Sequence, residues 1–231
     1  KDLKNYKFHK WTNSQIAKFW TYENNFPENF WGYNFGPSLI KMFKKQIKKS
    51  NYILDYGCGD GSLIKQILKY TNNYQKVYGF EYEHKSITKL KQKFINTKNL
   101  YFVSNKNLPN VKFDIIFCTE VIEHLYDKEL YHLLQTLNKF KSENGTIIFT
   151  TPNQENLEKS LIYNPVNNTV FHRWQHVRNW SKDSLYHCLK KHRFNKIEFF
   201  ETTLTNNSQN FLRNLYRKVK HKKINLIAQV S

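Results

Sequence analysis

Ile53-Leu54-Asp55-Tyr56-Gly57-Cys58-Gly59-Asp60-Gly61 is the stretch on which the reading of this chain turns. Three glycines at alternate positions follow an apolar run and precede a helical pattern at Leu63, Ile64, Ile67 and Leu68. A strand that must turn at once into a helix, with a ligand lying against its backbone, needs residues without a Cβ there. The spacing is not that of a dinucleotide site, which ends Gly-x-x-Gly and seats a pyrophosphate on the helix N-terminus. Asp55 stands two residues before the first glycine, at the end of the strand. An acid in that place repels phosphate and attracts a cation such as an α-ammonium group.

Outward from the turn, the pattern becomes regular. Short runs rich in β-branched and aromatic residues recur at Tyr52–Leu54, Val77–Phe80, Tyr101–Val103, Phe113–Cys118 and Thr146–Thr150. Between them lie helical patterns at Leu63 to Leu68, at Ile87, Leu90 and Phe94, and at Leu130, Leu133, Leu134 and Leu137. Such alternation predicts an α/β fold, a Rossmann-like doubly wound sheet with buried parallel strands and right-handed crossovers. Upstream, residues 1–35 are aromatic-rich and irregular, with a short helix around Asn13 to Phe19, and read as an N-terminal cap. Pro37, then Leu39, Ile40, Phe43 and Ile47, opens an amphipathic helix. Downstream, residues 151–180 lack periodicity over nearly thirty positions, a length typical of a segment that covers a site. Ser181 caps a helix through Leu185, Cys188 and Leu189, and Lys196 to Thr202 reads as a strand. A basic amphipathic insertion at 207–223 follows. Ile224 to Val230 closes the sheet, antiparallel to the strand before it.

Glu81 ends the strand Val77-Tyr78-Gly79-Phe80, where a carboxylate can accept both hydroxyls of a ribose. Acids at two neighbouring strand tips, with no phosphate site, describe a nucleoside cofactor that carries an amino acid end: S-adenosylmethionine. At this point the chain resembles the class I S-adenosylmethionine-dependent methyltransferases. The blocks that carry the resemblance are Asp-Tyr-Gly-Cys-Gly-Asp-Gly (55–61), Gly-Phe-Glu (79–81), Phe-Asp-Ile-Ile-Phe-Cys-Thr-Glu-Val-Ile-Glu-His-Leu (113–125) and Gly-Thr-Ile-Ile-Phe-Thr-Thr-Pro-Asn (145–153). It covers about residues 36 to 230 and implies a seven-stranded sheet with an antiparallel last strand. It also implies that Asp55, Gly57, Cys58, Gly59 and Gly61 line the methionine end and that Glu81 holds the ribose. By the same resemblance Ser104 or Asn105 faces the adenine, and Glu120 borders cofactor and substrate. The family often has an Asp at the Ser104 position, so that part of the match is looser.

Methyl transfer to an alcohol asks the protein for alignment and for removal of one proton. His124, after the fourth strand, and His176, in the cover, are the candidate bases. If 120–124 is helical, Glu120, Glu123 and His124 share one face. Glu120, Glu123, His124 and His176 also carry the ligand chemistry of a divalent-metal site. That set is similar to the small-RNA 3′-terminal 2′-O-methyltransferases, which share a Glu-x-x-Glu-His block, a Thr-Pro-Asn and a later His. The block also occurs in methyltransferases without metal, and no metal is expected here. Val170-Phe171-His172-Arg173-Trp174-Gln175-His176-Val177-Arg178-Asn179-Trp180-Ser181 looks like bacterial methyltransferases of glycan and cell-surface biosynthesis. In those a Cys-Pro-x-Cys knuckle precedes the block. Here Asn164-Pro165-Val166-Asn167 stands in its place, and amides do not replace thiolates on zinc. Arg173, Trp174 and Arg178 are the candidate substrate-binding residues, able to meet a sugar face or a phosphate.

Composition sets the limits. The chain has 231 residues, 39% of them hydrophobic, with 18 Phe, 15 Tyr and 5 Trp, enough for a substantial core and too apolar for a disordered chain. Cys58, Cys118 and Cys188 are too few for a disulfide framework, which suits a reducing cytoplasm. No run reaches the length of a membrane span, and Lys1 to Lys10 lacks an apolar leader core, so a cytoplasmic protein is expected. The formal charge of +19 comes from 37 Lys and Arg against 18 Asp and Glu. Of these, 32 are Lys and 5 are Arg, all five at or after Arg173, beside 28 Asn. Bidentate readers of phosphate and base are mostly Arg, so the excess points to a biased coding sequence more than to nucleic acid. The tail is acid-free after Glu201, and 211–223 suits peripheral contact with an anionic membrane surface.

The reading is therefore an enzyme that moves a methyl group from S-adenosylmethionine to a hydroxyl of a small molecule, a sugar or a nucleotide- or lipid-linked glycan precursor. The alternatives are a metal-assisted RNA 2′-O-methyltransferase and an inactive cofactor-binding scaffold. The scaffold would be favoured by disrupted glycines or a missing Glu81, and both are intact.

Overall fold

The computed structural model describes residues 6–82, 84–107, 109–205 and 225–231. In chain order its main elements are β1 (Lys7–Phe8), α1 (Asn13–Glu23), α2 (Trp31–Lys49), β2 (Tyr52–Tyr56), α3 (Ser62–Ile67), β3 (Lys76–Phe80), α4 (His84–Lys93) and β4 (Leu100–Val103). There follow β5 (Phe113–Thr119), α5 (Asp127–Phe140), β6 (Lys141–Pro152), β7 (Leu161–Asn164), β8 (Thr169–His172), α6 (Lys182–Lys191), β9 (Ile197–Thr202) and β10 (Asn225–Val230).

Seven strands form one sheet in the order β4-β3-β2-β5-β6-β10-β9. The five from β4 to β6 are parallel, and β10 runs antiparallel to both β6 and β9. The strand order reverses between β2 and β5, so the loops after these strands diverge and leave a crevice at their C-terminal ends. Helices cover both faces, and the strands alternate accordingly. Leu54, Ile116, Ile147 and Phe149 pack with the apolar stripe of α5 (Leu130, Leu133, Leu134, Leu137) and with Leu185 and Leu189 of α6. Ile53, Ile115, Phe117 and Ile148 face the other way, against Ile40 and Ile47 of α2, Leu63 and Ile64 of α3, and Ile87 and Leu90 of α4. Burial on both faces explains why these strands read as continuous apolar runs rather than as alternating ones.

Three elements differ from the sequence reading. Helix α2 begins at Trp31, not at Pro37, and so crosses the expected cap boundary at residue 35. Pro37 lies inside it; the ring removes one N–H, and the tertiary contacts of Leu39, Ile40 and Phe43, all buried, outweigh that loss. Residues 151–180 are not structureless. After a short 3-10 turn (Leu157–Ser160), β7 and β8 make an antiparallel hairpin, and β1 joins β8 in parallel to form a three-stranded sheet. The hairpin escaped periodicity because its strands are four residues long. Strand β6 also starts earlier than Thr146, with a register shift opposite Phe113 and Ile115. The basic segment 207–223 and Ile224 lie outside the described residues.

Phe149 is fully buried toward the C-terminal end of β6, in the core cluster that includes residues of α5 and α6. Phe149→Ala is expected to cost about 3–5 kcal/mol, read as a fall in the urea midpoint with an unchanged slope; a loss below about 1 kcal/mol would mean that this core is loosely packed.

Candidate active site

The first turn after β2 is built on backbone strain that only glycine relieves. Gly57 has φ +78°, and a Cβ there would meet Val121 Cγ2 at 2.8 Å; Gly59 has φ +52° and faces the ring of Phe30 at 3.1 Å. The amides of Gly57 and Cys58 both donate to the Phe80 carbonyl (2.9 and 3.0 Å), and that of Gly59 donates to Glu81 Oε2 (3.1 Å). The turn is thereby tied to the end of β3. Glu81 takes the amide of Tyr82 on its other oxygen at 2.8 Å. Ser104 is buried and donates to Asn107 Oδ1 from both its amide and its hydroxyl, whereas Asn105 is exposed. Cys58 is buried with a thiol pushed up by desolvation, then by Asp55 and Glu81.

Asp55 is 1% exposed, and neither of its carboxylate oxygens has a hydrogen-bond partner. Burial, then the neighbouring Glu81 and Asp60 charges, push its pKa up to about 8. Asp60 makes no use of it: that carboxylate accepts from the amide and hydroxyl of Ser62 and pairs with Lys93 at 3.3 Å.

The second half of the site gathers at the end of β5. Glu120 has φ +51°, an uncommon conformation for a residue with a side chain, and its amide donates to the Thr150 carbonyl. Its Oε1 accepts from the Thr150 hydroxyl at 2.8 Å. Burial raises its pKa to about 8, against the Thr150 hydrogen bond and with help from Glu155. The expected α-helical face at 120–124 does not form. Glu120 precedes a 3-10 turn, Ile122–His124, and the tight turn brings Glu123 and His124 inward by a different route. Glu123 is 1% exposed, its oxygens lack hydrogen-bond partners, and burial followed by the Glu120 charge holds it well above the carboxylate range. His124 packs edge-on against Trp20 and His176, with ring centroids 5.4 and 4.8 Å apart. Burial, then His176, lower its pKa to about 3, so its ring is neutral and a weak base.

The cover delivers the rest. Val177 N donates to the Glu123 carbonyl (2.9 Å), tying the cover to the 3-10 turn after β5, and Gln154 N donates to the Trp180 carbonyl (2.7 Å), joining the two ends of the cover to each other. His176 Nδ1 meets Glu155 Oε2 at 2.5 Å, and His172 Nε2 lies 3.4 Å from Glu155 Oε1. Burial raises the Glu155 pKa, but the His172 and His176 contacts lower it further, to about 2. One carboxylate or ring-nitrogen atom each from Glu123, His124 and His176 lies within 4.8 Å of the others, as do those of Glu155, His172 and His176. Both sets offer the donors a divalent cation takes. Glu155 and Trp20 were missed by motif reading, and His172 was read within the 170–181 block without being given a role. The His172-x-x-x-His176 spacing was the available signal; Glu155 and Trp20 carry none. Among the expected substrate residues, Arg173 is exposed with its guanidinium 6.0 Å from the Trp174 ring. Arg178 is instead bound into the scaffold: Nε donates to the Leu125 carbonyl and Nη2 to Asp127, both at 2.8 Å.

A doubly wound sheet with this strand order, a glycine turn after its first strand and acids at two adjacent tips defines a class I S-adenosylmethionine-dependent methyltransferase. A family profile described as a methyltransferase domain matches residues 31–198, and the chain belongs to that family. No curated protein sequence matches it. Among solved structures it is similar to an S-adenosylmethionine-dependent methyltransferase from Clostridium acetobutylicum (TM-score 0.62, 13% identity, 95% of this chain and 99% of that one). It is also similar to the glycopeptide N-methyltransferase MtfA (TM-score 0.61, 11% identity, 86% and 91%), which has been solved with sinefungin and with S-adenosylmethionine. A third is the methyltransferase domain of bacterial CtHen1 (TM-score 0.58, 16% identity, 84% and 97%). At these identities the likeness is one of fold.

The residues present fit S-adenosylmethionine. A buried carboxyl without a partner at the tip of β2 is matched by an ammonium group, and the turn at Gly57 and Gly59 leaves no Cβ in the way. An ammonium stabilises the ionised form of Asp55, whose pKa in the free protein is about 8. Below that pH, S-adenosylhomocysteine is therefore expected to bind with release of a proton, and its affinity to rise as the pH climbs toward about 8. Calorimetry in buffers of different ionisation enthalpy measures this directly; a buffer-independent heat would show that Asp55 does not meet the ammonium.

Proposed function

We propose that this methyltransferase acts on a hydroxyl of a sugar, in a small glycan precursor, with His176 as the general base. The observation that carries the reading is the contact between His176 Nδ1 and Glu155. An ionised carboxylate only accepts, so Nδ1 donates and the other ring nitrogen, Nε2, keeps its lone pair. When bound, S-adenosylmethionine supplies an electrophilic methyl group on sulfur. The protein's own part is to hold the acceptor hydroxyl in line and to take its proton at His176 Nε2. Asp55 would hold the ammonium group, Glu81 the ribose and Ser104 the adenine side. Glu120, protonated near neutral pH, can donate a hydrogen bond at the end of β5. His124, held neutral by burial, is the poorer base of the two and lines the site beside Trp20. Arg173, exposed, and Trp174, half-buried, would offer a charged group and an apolar face to a polar ring.

A second reading is supported by the donor cluster. Glu123, His124 and His176 converge, and Glu123 has no hydrogen bond on either oxygen. This favours a divalent cation and metal-assisted 2′-O-methylation of RNA, the alternative that the Glu-x-x-Glu-His block suggested.

Transfer of labelled methyl from S-adenosylmethionine to a panel of nucleotide sugars and to short RNA, with and without manganese or magnesium, separates the two. Metal-independent labelling of a sugar is expected; labelling of RNA that requires metal would establish the second reading in its place. His176→Ala is expected to lower kcat by about 10²-fold to 10⁴-fold with the calorimetric Kd for S-adenosylhomocysteine unchanged, and a loss of cofactor affinity alone would contradict the base role.

A further inference from the structure

The structure joins His172 and Glu155 to His176 in one chain of contacts. His172 is 5% exposed at the end of β8, and its Nδ1 accepts from the backbone amides of Trp174 (3.3 Å) and His176 (3.2 Å). A ring nitrogen that accepts carries no proton, so the proton of the neutral ring sits on Nε2, the atom facing Glu155 Oε1. The other Glu155 oxygen takes Nδ1 of His176. The two imidazoles stack with centroids 4.5 Å apart and planes 20° from parallel, which fixes the ring of His176 against that of His172. Two backbone amides thus set the tautomer of His172, His172 orients the carboxylate of Glu155, and Glu155 sets the tautomer of His176.

This assignment also separates the two donor sets. Nε2 of His172 bears a proton and lies 3.4 Å from a carboxylate oxygen of Glu155, a close polar contact, so within the set Glu155, His172 and His176 it offers no lone pair to a ligand.

We propose that Glu155 and His172 are positioning residues that hold His176 as its Nδ1–H tautomer, with the Nε2 lone pair turned to the acceptor hydroxyl. The inference deepens the reading of His176 as the base and rests on it. Free imidazole side chains in water favour the Nε2–H form, which has no lone pair on that atom, so the device matters: without Glu155 most of the neutral His176 population would carry its proton where the base must be empty. The three residues come from the segment after β6, the end of β8 and the loop beyond it, so the hairpin must be seated before the base is correctly protonated.

The test is the ring nitrogens themselves. In protein labelled with ¹⁵N-histidine, two-bond proton–nitrogen correlation spectra are expected to show His176 as the Nδ1–H form in the wild type. In Glu155→Ala it should move to a mixture or to the Nε2–H form, with kcat lowered about a hundredfold and the Kd for S-adenosylhomocysteine unchanged. Glu155→Gln, whose amide oxygen still accepts from Nδ1, should restore the tautomer and part of the turnover, and it keeps the experiment readable if the alanine variant unfolds. His172→Phe retains the stacked ring without the polar contact and should give an intermediate loss. An unchanged His176 tautomer in Glu155→Ala would overturn the inference. A switched tautomer with unaltered kcat would leave the positioning intact and overturn the base assignment beneath it.

Discussion

A buried carboxyl with nothing to bond to is the constraint around which this fold is arranged. Asp55 sits at the tip of β2 with both oxygens unpartnered, between Glu81 and Asp60, in a chain whose formal charge is +19. Asp60 receives Lys93, and among the described residues no cation pairs with Asp55. An isolated polar group in such a place costs on the order of 1–3 kcal/mol, and the protonated form lowers that cost without removing it. The reversal of strand order between β2 and β5 and the glycine turn, whose amides are tied to Phe80, adjoin Asp55 at the end of β2. These features make sense together as a pocket whose missing charge comes from a ligand.

The opposite wall has the reverse logic. Here charge is not missing but distributed: among Glu120, Glu123 and Glu155, only Glu155 is drawn down into the ionised form, because two imidazoles face it. Glu120 and Glu123 are held neutral by burial. The strained backbone of Glu120, the 3-10 turn after it and the Val177 to Glu123 hydrogen bond lock strand end and cover together, so this wall is pre-formed. Catalysis of methyl transfer depends chiefly on alignment, and a rigid wall suits that demand.

The sheet was legible because each of its central strands is buried on both faces and therefore writes an uninterrupted apolar run, as Phe113 to Cys118 does. Asp55, Glu81 and the glycines were legible because a strand tip and a Cβ-free turn are local features. What escaped was set by contacts distant in sequence. Glu155 carries no local signal, and its role follows from residues seventeen and twenty-one positions later. Pro37 looked like a helix start because N1 is where proline usually sits; the packing of Trp31 and Phe35 against the α2–α3 core extends the helix before it. Arg178 looked available for a ligand, and only the position of Leu125 and Asp127 shows that it is already held.

The central claim is that one ligand spans the two walls, its charged end on Asp55 and its reactive centre toward His176. A crystal structure with S-adenosylhomocysteine tests it most directly. The account predicts the amino group within hydrogen-bond distance of the Asp55 carboxylate and the sulfur directed at the cluster of Glu120, Glu123 and His176. A ligand bound with its amino group away from Asp55, or with its sulfur turned from that cluster, would contradict it.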